Sequence, residues 1–448
     1  MKRALCLAFV LVAAAAPTAR AYHATTHAGM TERAALASSL HKRLIERYGR
    51  ALGLYEPLTL EEPRTKQQRE LARQLQLLDP EGGYLPDRGR LTAIGWLTAG
   101  AALEAVPAAR LRNHFYDPSR NRGLDQVSDA LRTRIDAATT GVGTVRGIFT
   151  GESFDGSGMA APDWLRANEN EWGLRRFADE LERSIAAPTA AERDGALAQA
   201  LLAVGAMLHV IEDAGDPTFV RDDYRVALEA DAGQYERFVA LAYGRLGVPE
   251  AEGPSIVVPS LLALFHDANG NGLADRTQLR FFSPGTLPDS RRYGLPQAFA
   301  AAGTSGYVAG AVPHLARYRR TKDGVAWTLD ERCWADYAAT LVPETTRYAA
   351  GALELLFRGR IEIASSNGMA TLSVHDVALG GGRLSIYADI AGGPRQLVST
   401  QDVTGAGDGD KLRDLTLPAG ARRLGAVFRG VDAHGEPLVI AQDTLLPR

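Results

Sequence analysis

From about Thr31 to Arg358, apolar residues, chiefly Ala and Leu, recur at three- and four-residue spacings with Glu and Arg on the intervening positions, the pattern of helices that bury one face. It predicts helices over Thr31 to Leu52, Lys66 to Leu78, Asp163 to Ala186 and Ala191 to Ile211. Pro and Gly clusters such as Asp79-Pro80-Glu81-Gly82-Gly83, Asp155-Gly156-Ser157-Gly158 and Phe282-Ser283-Pro284-Gly285 separate the helices as loops. After Arg360 the texture changes: Ile361-Glu362-Ile363, Ala370 to Val374, Arg383 to Tyr387 and Leu424 to Phe428 alternate or cluster as short strands between Gly-rich turns. The expected fold is mainly α, a multi-helix domain over 22–360 followed by a small C-terminal β-sandwich over 361–448. Two domains also suit 448 residues, a length beyond that at which one hydrophobic core usually keeps growing.

The first residues have the three-part layout of a secretory signal: Lys2 and Arg3, an apolar run from Ala4 to Ala16, then Ala19-Arg20-Ala21 as a small-x-small cleavage site. The apolar run is shorter than the roughly 20 residues of a membrane-spanning helix. Residues 1–21 are therefore expected to be removed, leaving Tyr22 at the new N-terminus of a secreted or periplasmic protein. Loss of Cys6 would leave Cys333 alone, so no intramolecular disulfide can form. The formal charge of −3 becomes more negative once Lys2, Arg3 and Arg20 are gone. The chain therefore has no global attraction for nucleic acid or anionic lipid, and a phosphate-bearing substrate must be held locally.

Three segments carry candidate chemistry. In Leu208-His209-Val210-Ile211-Glu212-Asp213, His209 and Asp213 are four apart on a helix. Both side chains leave the same face and can meet one metal ion, while Pro217 ends the helix just beyond. Read alone, the pair is a weak signal, and a partly buried His beside a solvated Asp is its commoner explanation. In Asn113-His114-Phe115-Tyr116-Asp117-Pro118 a His sits among aromatics before a turn, and the alternative there is a core aromatic cluster with a satisfied His. In Tyr22-His23-Ala24-Thr25-Thr26-His27, a freed α-amine and carbonyl of Tyr22 can chelate a metal whose coordination His27 completes; the alternative is a frayed tail.

Together these segments resemble the zinc-dependent phospholipase C and S1/P1 nuclease superfamily. That family combines an N-terminal aromatic residue, a nearby His, an H-F-Y-D-P-type segment and H-x-x-x-D followed by a proline. Tyr22 stands where the family usually has Trp. Its spacing to His27 is similar to that of the P1 nucleases, while His114-Phe115-Tyr116-Asp117-Pro118 is similar to the phospholipase C branch. The resemblance spans about Tyr22 to Arg360. It implies one zinc on His114, His209 and Asp213 and a second on Tyr22, His27 and the bridging Asp213. Two ions about 3.5 Å apart can activate water and neutralise charge developing on phosphorus. Three imidazoles and a carboxylate suit zinc better than magnesium or calcium.

The chain departs from the family at the third metal. Phe219 and Ala232 occupy positions where His is expected, leaving Glu236 as the retained carboxylate, with Asp222 and Asp223 nearby in sequence; a third zinc is expected to be absent. The family's acidic helper upstream of His114 has Glu104 as its candidate, though Ala105 occupies the expected position. Arg110, Arg112, Arg120 and Arg122 flank His114 as possible phosphate contacts. Independently, Asp267, Asn269, Asn271 and Asp275 alternate around Gly270 and Gly272 as in a calcium loop. Gln278 takes the place of the bidentate Glu, and a plain Asn-Gly turn explains the same residues.

The resulting expectation is a secreted phosphodiesterase using zinc, with a candidate structural Ca²⁺ loop. Its substrate is a phosphate ester, with phospholipid at a membrane surface ahead of nucleic acid. A metal-holding scaffold without turnover is the first alternative, motivated by Phe219, Ala232 and Ala105. An adhesive role for the β-domain, with the helices as carrier, is the second.

Overall fold

The computed structural model describes residues 24–60, 66, 69, 72, 90–104, 108–124, 157–223, 234–243, 247–251, 253–287, 303–391 and 393–447. The predicted signal segment, Tyr22, Ala105, Ala232 and most of Lys66 to Leu78 lie outside these residues. The fold is a helical body followed by strands. In chain order the helices are α1 (Ala24–Ala37), α2 (Leu40–Tyr48), α3 (Ala93–Leu103), α4 (Ala161–Arg166), α5 (Leu174–Ala186), α6 (Ala190–Asp213), α7 (Pro217–Val220), α8 (Gln234–Ala242), α9 (Leu261–Phe265), α10 (Leu273–Arg280) and α11 (Glu331–Leu356).

The helix predicted over Thr31 to Leu52 is two helices. The first begins earlier, at Ala24, and the second stops at Tyr48 because Gly49 turns left-handed at φ 64° and donates its N–H back to Leu44. Asp163 to Ala186 also divides: the Asn170 side chain donates to the Trp164 carbonyl and accepts from Trp172 N–H, closing a loop between α4 and α5. The helix predicted from Ala191 to Ile211 is intact. Thr189 caps it, its hydroxyl accepting from Glu192 N–H while the Glu192 carboxylate accepts from Thr189 N–H.

Helix α6 is long and apolar enough to cross a membrane, but here it is buried nearly all round by α3, α5, α11 and α1, as expected of a core helix. Its crossing with α3 is the closest packing relevant to the centre described below. A Cβ on Gly205 would lie 1.9 Å from the Leu97 carbonyl oxygen, and one on Gly100 would lie 2.1 Å from that of Leu202. Only hydrogen at both positions lets the two backbones meet.

Pro57–Thr59 (β1) pairs with Arg90–Thr92 (β2). Within the helical body, Ser305–Val308 (β3), Ala316–Thr321 (β4) and Gly324–Thr328 (β5) form an antiparallel sheet absent from the sequence expectation. Its Ala316 and Tyr318 are buried in alternation with exposed Arg317 and Arg319, and β4 and β5 turn at Lys322-Asp323. The period of two and Asp323-Gly324 were the available signals.

The predicted C-terminal strands all form. β6 (Arg360–Ser366), β7 (Met369–His375) and β10 (Lys411–Thr416) make one sheet in the order β10-β7-β6. β8 (Leu379–Ile390), β9 (Gln396–Val403), β11 (Ala421–Asp432) and β12 (Pro437–Leu445) make the other in the order β12-β11-β8-β9. Ile361, Leu372 and Val374 of the first sheet share a core with Leu384, Ile386, Leu424 and Phe428 of the second. The reverse face of the larger sheet supplies Val427, Val439 and Ala441 to the main helical core. Arg395, fully buried, donates to the Ile185 carbonyl at the end of α5 (2.7 Å) while pairing with Asp389 and Asp443.

Gly205→Ala should drive α3 and α6 apart. We expect a loss of about 2–3 kcal/mol in urea unfolding, the range of overpacked cores. An alanine variant as stable as the parent would show that the crossing is not constrained.

Candidate metal centre

The crossing of α3 and α6 aligns the centre. His209 and Asp213 occupy the last turns of α6, His27 the first turn of α1, and His114 the residue after a short 3-10 segment, Ala108–Asn113. All four side chains are 0–1% exposed. Asp213 is the hub: its Oδ2 lies 2.6 Å from His114 Nδ1 and 3.4 Å from His209 Nε2, and its Oδ1 lies 3.2 Å from His27 Nε2. The His27 and His209 rings stack at 3.6 Å, with His114 edge-on to His209 at 5.2 Å. Donor atoms of His27, His209 and Asp213 all lie within 4.8 Å of one another.

A surrounding layer fixes which nitrogen each ring presents. His209 Nδ1 donates to the Ala101 carbonyl (2.6 Å) in the last turn of α3, where helical carbonyls run out of partners within the helix. His27 Nδ1 donates to Glu212 Oε2 (2.6 Å), and Thr31 donates to the other Glu212 oxygen (2.8 Å). Glu104, just past α3, faces His114 Nε2 at 3.3 Å and accepts from Arg110 at 2.6 and 3.1 Å and from Trp164 Nε1 at 3.2 Å. Arg110 also donates to Asn170. Outer partners of this kind set imidazole tautomers at metal sites.

Burial lowers His209 to about 4, aided by its neighbour His27, so its ring is neutral at pH 7. With Nδ1–H committed to Ala101, its Nε2 lone pair faces the Asp213 carboxylate. Burial opposes ionisation of Asp213, yet the imidazoles of His209, His27 and His114 hold it well below its ordinary value. A lone pair aimed at a carboxylate is repulsive unless a cation lies between them. Consistently, His209 Nε2 and Asp213 Oδ1 are buried without a hydrogen-bond partner among the described residues. The donor set fits zinc, whose ligands are imidazole nitrogen and carboxylate oxygen. In the metal-free protein protons do the balancing: against the pull of burial, Asp213 and Glu212 hold His27 up at about 9, and Asp213 and Glu104 raise His114.

Four of the expected ligands thus converge, while Tyr22 lies outside the described residues. Glu104 reaches the centre, but as a committed carboxylate: although burial opposes ionisation, Arg110 and His114 hold it down at about 2. Arg110, a candidate phosphate contact from sequence, is engaged in that pairing and with Asn170. Phe219, where the sequence resemblance led to an expectation of His, packs against Phe115 at 4.5 Å. Glu236 is buried, and the site it faces contains Asp216, a residue the sequence reading passed over. Burial and the negative charge of Asp213 raise Asp216 to about 7, against hydrogen bonds from Thr218 and Glu236 that lower it; burial and Asp216 raise Glu236 well above its ordinary range. Asp223 adds to that field, and its Oδ2 accepts from Gly285 N–H at 2.6 Å.

The Asp267 loop closes on itself. Asp267 Oδ1 accepts from the N–H groups of Asn269 and Asn271, while Asp275 accepts from Asp267 N–H and Gly272 N–H and pairs with His266 at 2.7 Å. Sequence reasoning also missed Glu212 and Thr31. Two adjacent acids, Glu212 and Asp213, ending an otherwise apolar stretch of helix were the signal available.

No family model and no curated protein matches this sequence. Among solved structures, an alpha toxin from Clostridium absonum aligns over 95% of both chains at 10% identity with a TM-score of 0.32. Clostridium perfringens alpha-toxin from avian strain SWCP aligns over 95% of this chain and 98% of its own at 11% identity, with a TM-score of 0.31. Likeness at this level carries no argument about chemistry, which rests on the centre itself.

The acid pair beside the centre gives a signed prediction. Unfolded Asp and Glu lose their protons near pH 4, whereas folded Asp216 and Glu236 keep theirs, so folding stability of the metal-free protein falls as pH rises from about 4 through about 7. Asp216→Asn keeps an N-cap side chain for Thr218 N–H and removes one ionisation. It should be about 1–2 kcal/mol more stable than the parent at about pH 8, with the gap shrinking as pH falls and closed by about pH 4. Urea titrations across that range test this; a gap that grows on acidification contradicts it.

Proposed function

We propose that the protein is a secreted zinc-dependent phosphodiesterase acting on a phosphate ester, phospholipase C-like in substrate. The observation that carries the metal half is the neutral His209, anchored at Nδ1 by Ala101, presenting Nε2 to a buried carboxylate that His27 and His114 also face. The phosphoesterase half is supported by the motif resemblance at His114 to Pro118 and His209 to Pro217.

The residues that would hold zinc are His27 through Nε2, His209 through Nε2, His114 through Nδ1 and Asp213 through both oxygens. Two ions would divide this set as the motifs imply, His114, His209 and Asp213 holding one, and Asp213 with His27 and the further proposed ligand Tyr22 holding the other. Zinc supplies Lewis acidity toward a phosphoryl oxygen and acidifies water near neutral pH. The chain's own residues set the stage for that chemistry. Ionised Glu104 favours a proton on His114 Nε2, which leaves Nδ1 with its lone pair toward Asp213. Held down at about 2, Glu104 is too weak a base to take a proton from water at pH 7; it orients His114 instead of serving as the acidic helper expected from sequence.

A second reading has one observation in its favour. The candidate ligands are wholly buried, and aromatic Phe219 packs beside His114, which suits a metal-holding scaffold without turnover. Hydrolysis of a chromogenic phosphocholine ester and of single-stranded nucleic acid, each with and without chelator, separates the two. Chelator-sensitive turnover of the ester is expected. Turnover of nucleic acid alone would move the substrate class to nuclease, and zinc retention without turnover would establish the scaffold.

Zinc must displace the proton that His27 keeps up to about pH 9, so affinity should rise with pH through the neutral range and binding should release protons. Calorimetry in buffers of different ionisation enthalpy measures that release. His209→Ala and Asp213→Asn should each lower zinc content by at least about one equivalent per chain, since each removes a donor from the shared set. A purified parent protein without zinc affinity would sink the reading.

A further inference from the structure

Glu212 has no role in the ligand set, yet it is fully buried one residue before Asp213. Both of its oxygens are taken by α1. Oε2 accepts from His27 Nδ1 at 2.6 Å and Oε1 from Thr31 Oγ1 at 2.8 Å. Thr31 follows His27 by four residues, one helical turn, so the two donors stand one above the other on the same face. The carboxylate therefore grips α1 at two points and fixes both the height and the rotation of the His27 ring.

Its location makes the arrangement costly in isolation. Glu212 and Asp213 are adjacent buried acids at the C-terminal end of a 24-residue helix, where the helix dipole already places negative charge. A second carboxylate there raises the penalty that the first incurs, and an apolar side chain would fill the volume without it. What Glu212 adds is directional: a carboxylate can only accept, so His27 must donate from Nδ1. The ring then turns Nε2 toward Asp213 Oδ1, 3.2 Å away. The stacked His209 ring, 3.6 Å off, limits rotation about that axis.

We propose that Glu212, braced by Thr31, is a positioning residue that fixes the tautomer and orientation of His27 for metal binding through Nε2. This inference rests on the zinc reading above, but half of its test does not need zinc. In the full-length protein with ¹⁵N-labelled histidine, long-range nitrogen–proton spectra of the metal-free and zinc-loaded forms report which His27 nitrogen carries the proton. Zinc affinity is measured in parallel by competition with a chromophoric chelator.

In the parent, His27 should carry its proton on Nδ1 with zinc bound, and metal-free His27 should retain a hydrogen-bonded Nδ1–H. Glu212→Leu should release that proton signature and weaken zinc about 10–100-fold, the usual effect of removing an outer partner of a ligating imidazole. Glu212→Gln, which keeps an acceptor oxygen, should recover the Nδ1–H signature and part of the affinity. Thr31→Val removes only the brace and should weaken zinc in the same direction by a smaller factor; it also carries the test if Glu212→Leu does not fold. Zinc affinity and His27 resonances unchanged in Glu212→Leu, or in Thr31→Val where the first is unfolded, would overturn the proposal and leave Glu212 a plain helix tie. A parent with the Nδ1–H signature but no zinc affinity would overturn both this proposal and the zinc reading. A parent that binds zinc through a His27 protonated on Nε2 would overturn this proposal alone.

Discussion

Burial of the Asp213 carboxylate is the constraint around which the helical body is arranged. An isolated carboxylate at the end of a core helix is opposed by desolvation and by the helix dipole together. Three imidazoles from three separated stretches of chain, at His27, His114 and His209, converge on it. Each brings its own outer partner, so the negative charge is answered by a shell two residues deep. The shell in turn ties α1, α3, α6 and the segment around His114 to one point. Helix placement and charge balance are therefore the same problem in this molecule, and a cation at the hub would resolve both.

The outer layer shows how backbone geometry reaches the centre. Gly100 and Gly205 let α3 and α6 approach until a carbonyl at the end of one helix meets an imidazole on the other. The carbonyl at Ala101 lies in the last turn of α3, where acceptors run out of partners within the helix. Glu104 continues the same theme one residue past the helix: its charge is compensated by Arg110, and its remaining capacity is spent on His114 and Trp164. The polar groups closest to the candidate ligands are thus committed to one another.

Much of this was legible in the sequence because it is local. The His209–Asp213 spacing is a helix repeat and alternating Ile361-Glu362-Ile363 is a strand, each decided by residues within one or two turns. The strands after Arg360 and the intact α6 follow from the same logic. What escaped was decided at a distance. Glu212 is an ordinary helix residue until α1 supplies His27 and Thr31, separated from it by 185 and 181 residues. Glu104 has the right charge for a helper, and only the arrival of Arg110 and Trp164 shows that it is already engaged. Asp216 acquires meaning from Glu236, and the β3–β5 sheet was hidden by arginines whose exposed face broke the apolar count.

Arg395 bears on how the two halves of the chain relate. Its guanidinium, without solvent exposure, joins Asp389 and Asp443 of the larger sheet to the carbonyl that ends α5, and Val427, Val439 and Ala441 fill the helical core beside it. Detaching the sandwich would strip the Ile185 carbonyl of its Arg395 donor and expose an apolar wall along α5 and α2. The strands thus act as a keystone of the helical body, so unfolding should engage both halves in one cooperative transition. A change of residue in the sandwich core can then be felt at the His–Asp cluster that it never touches.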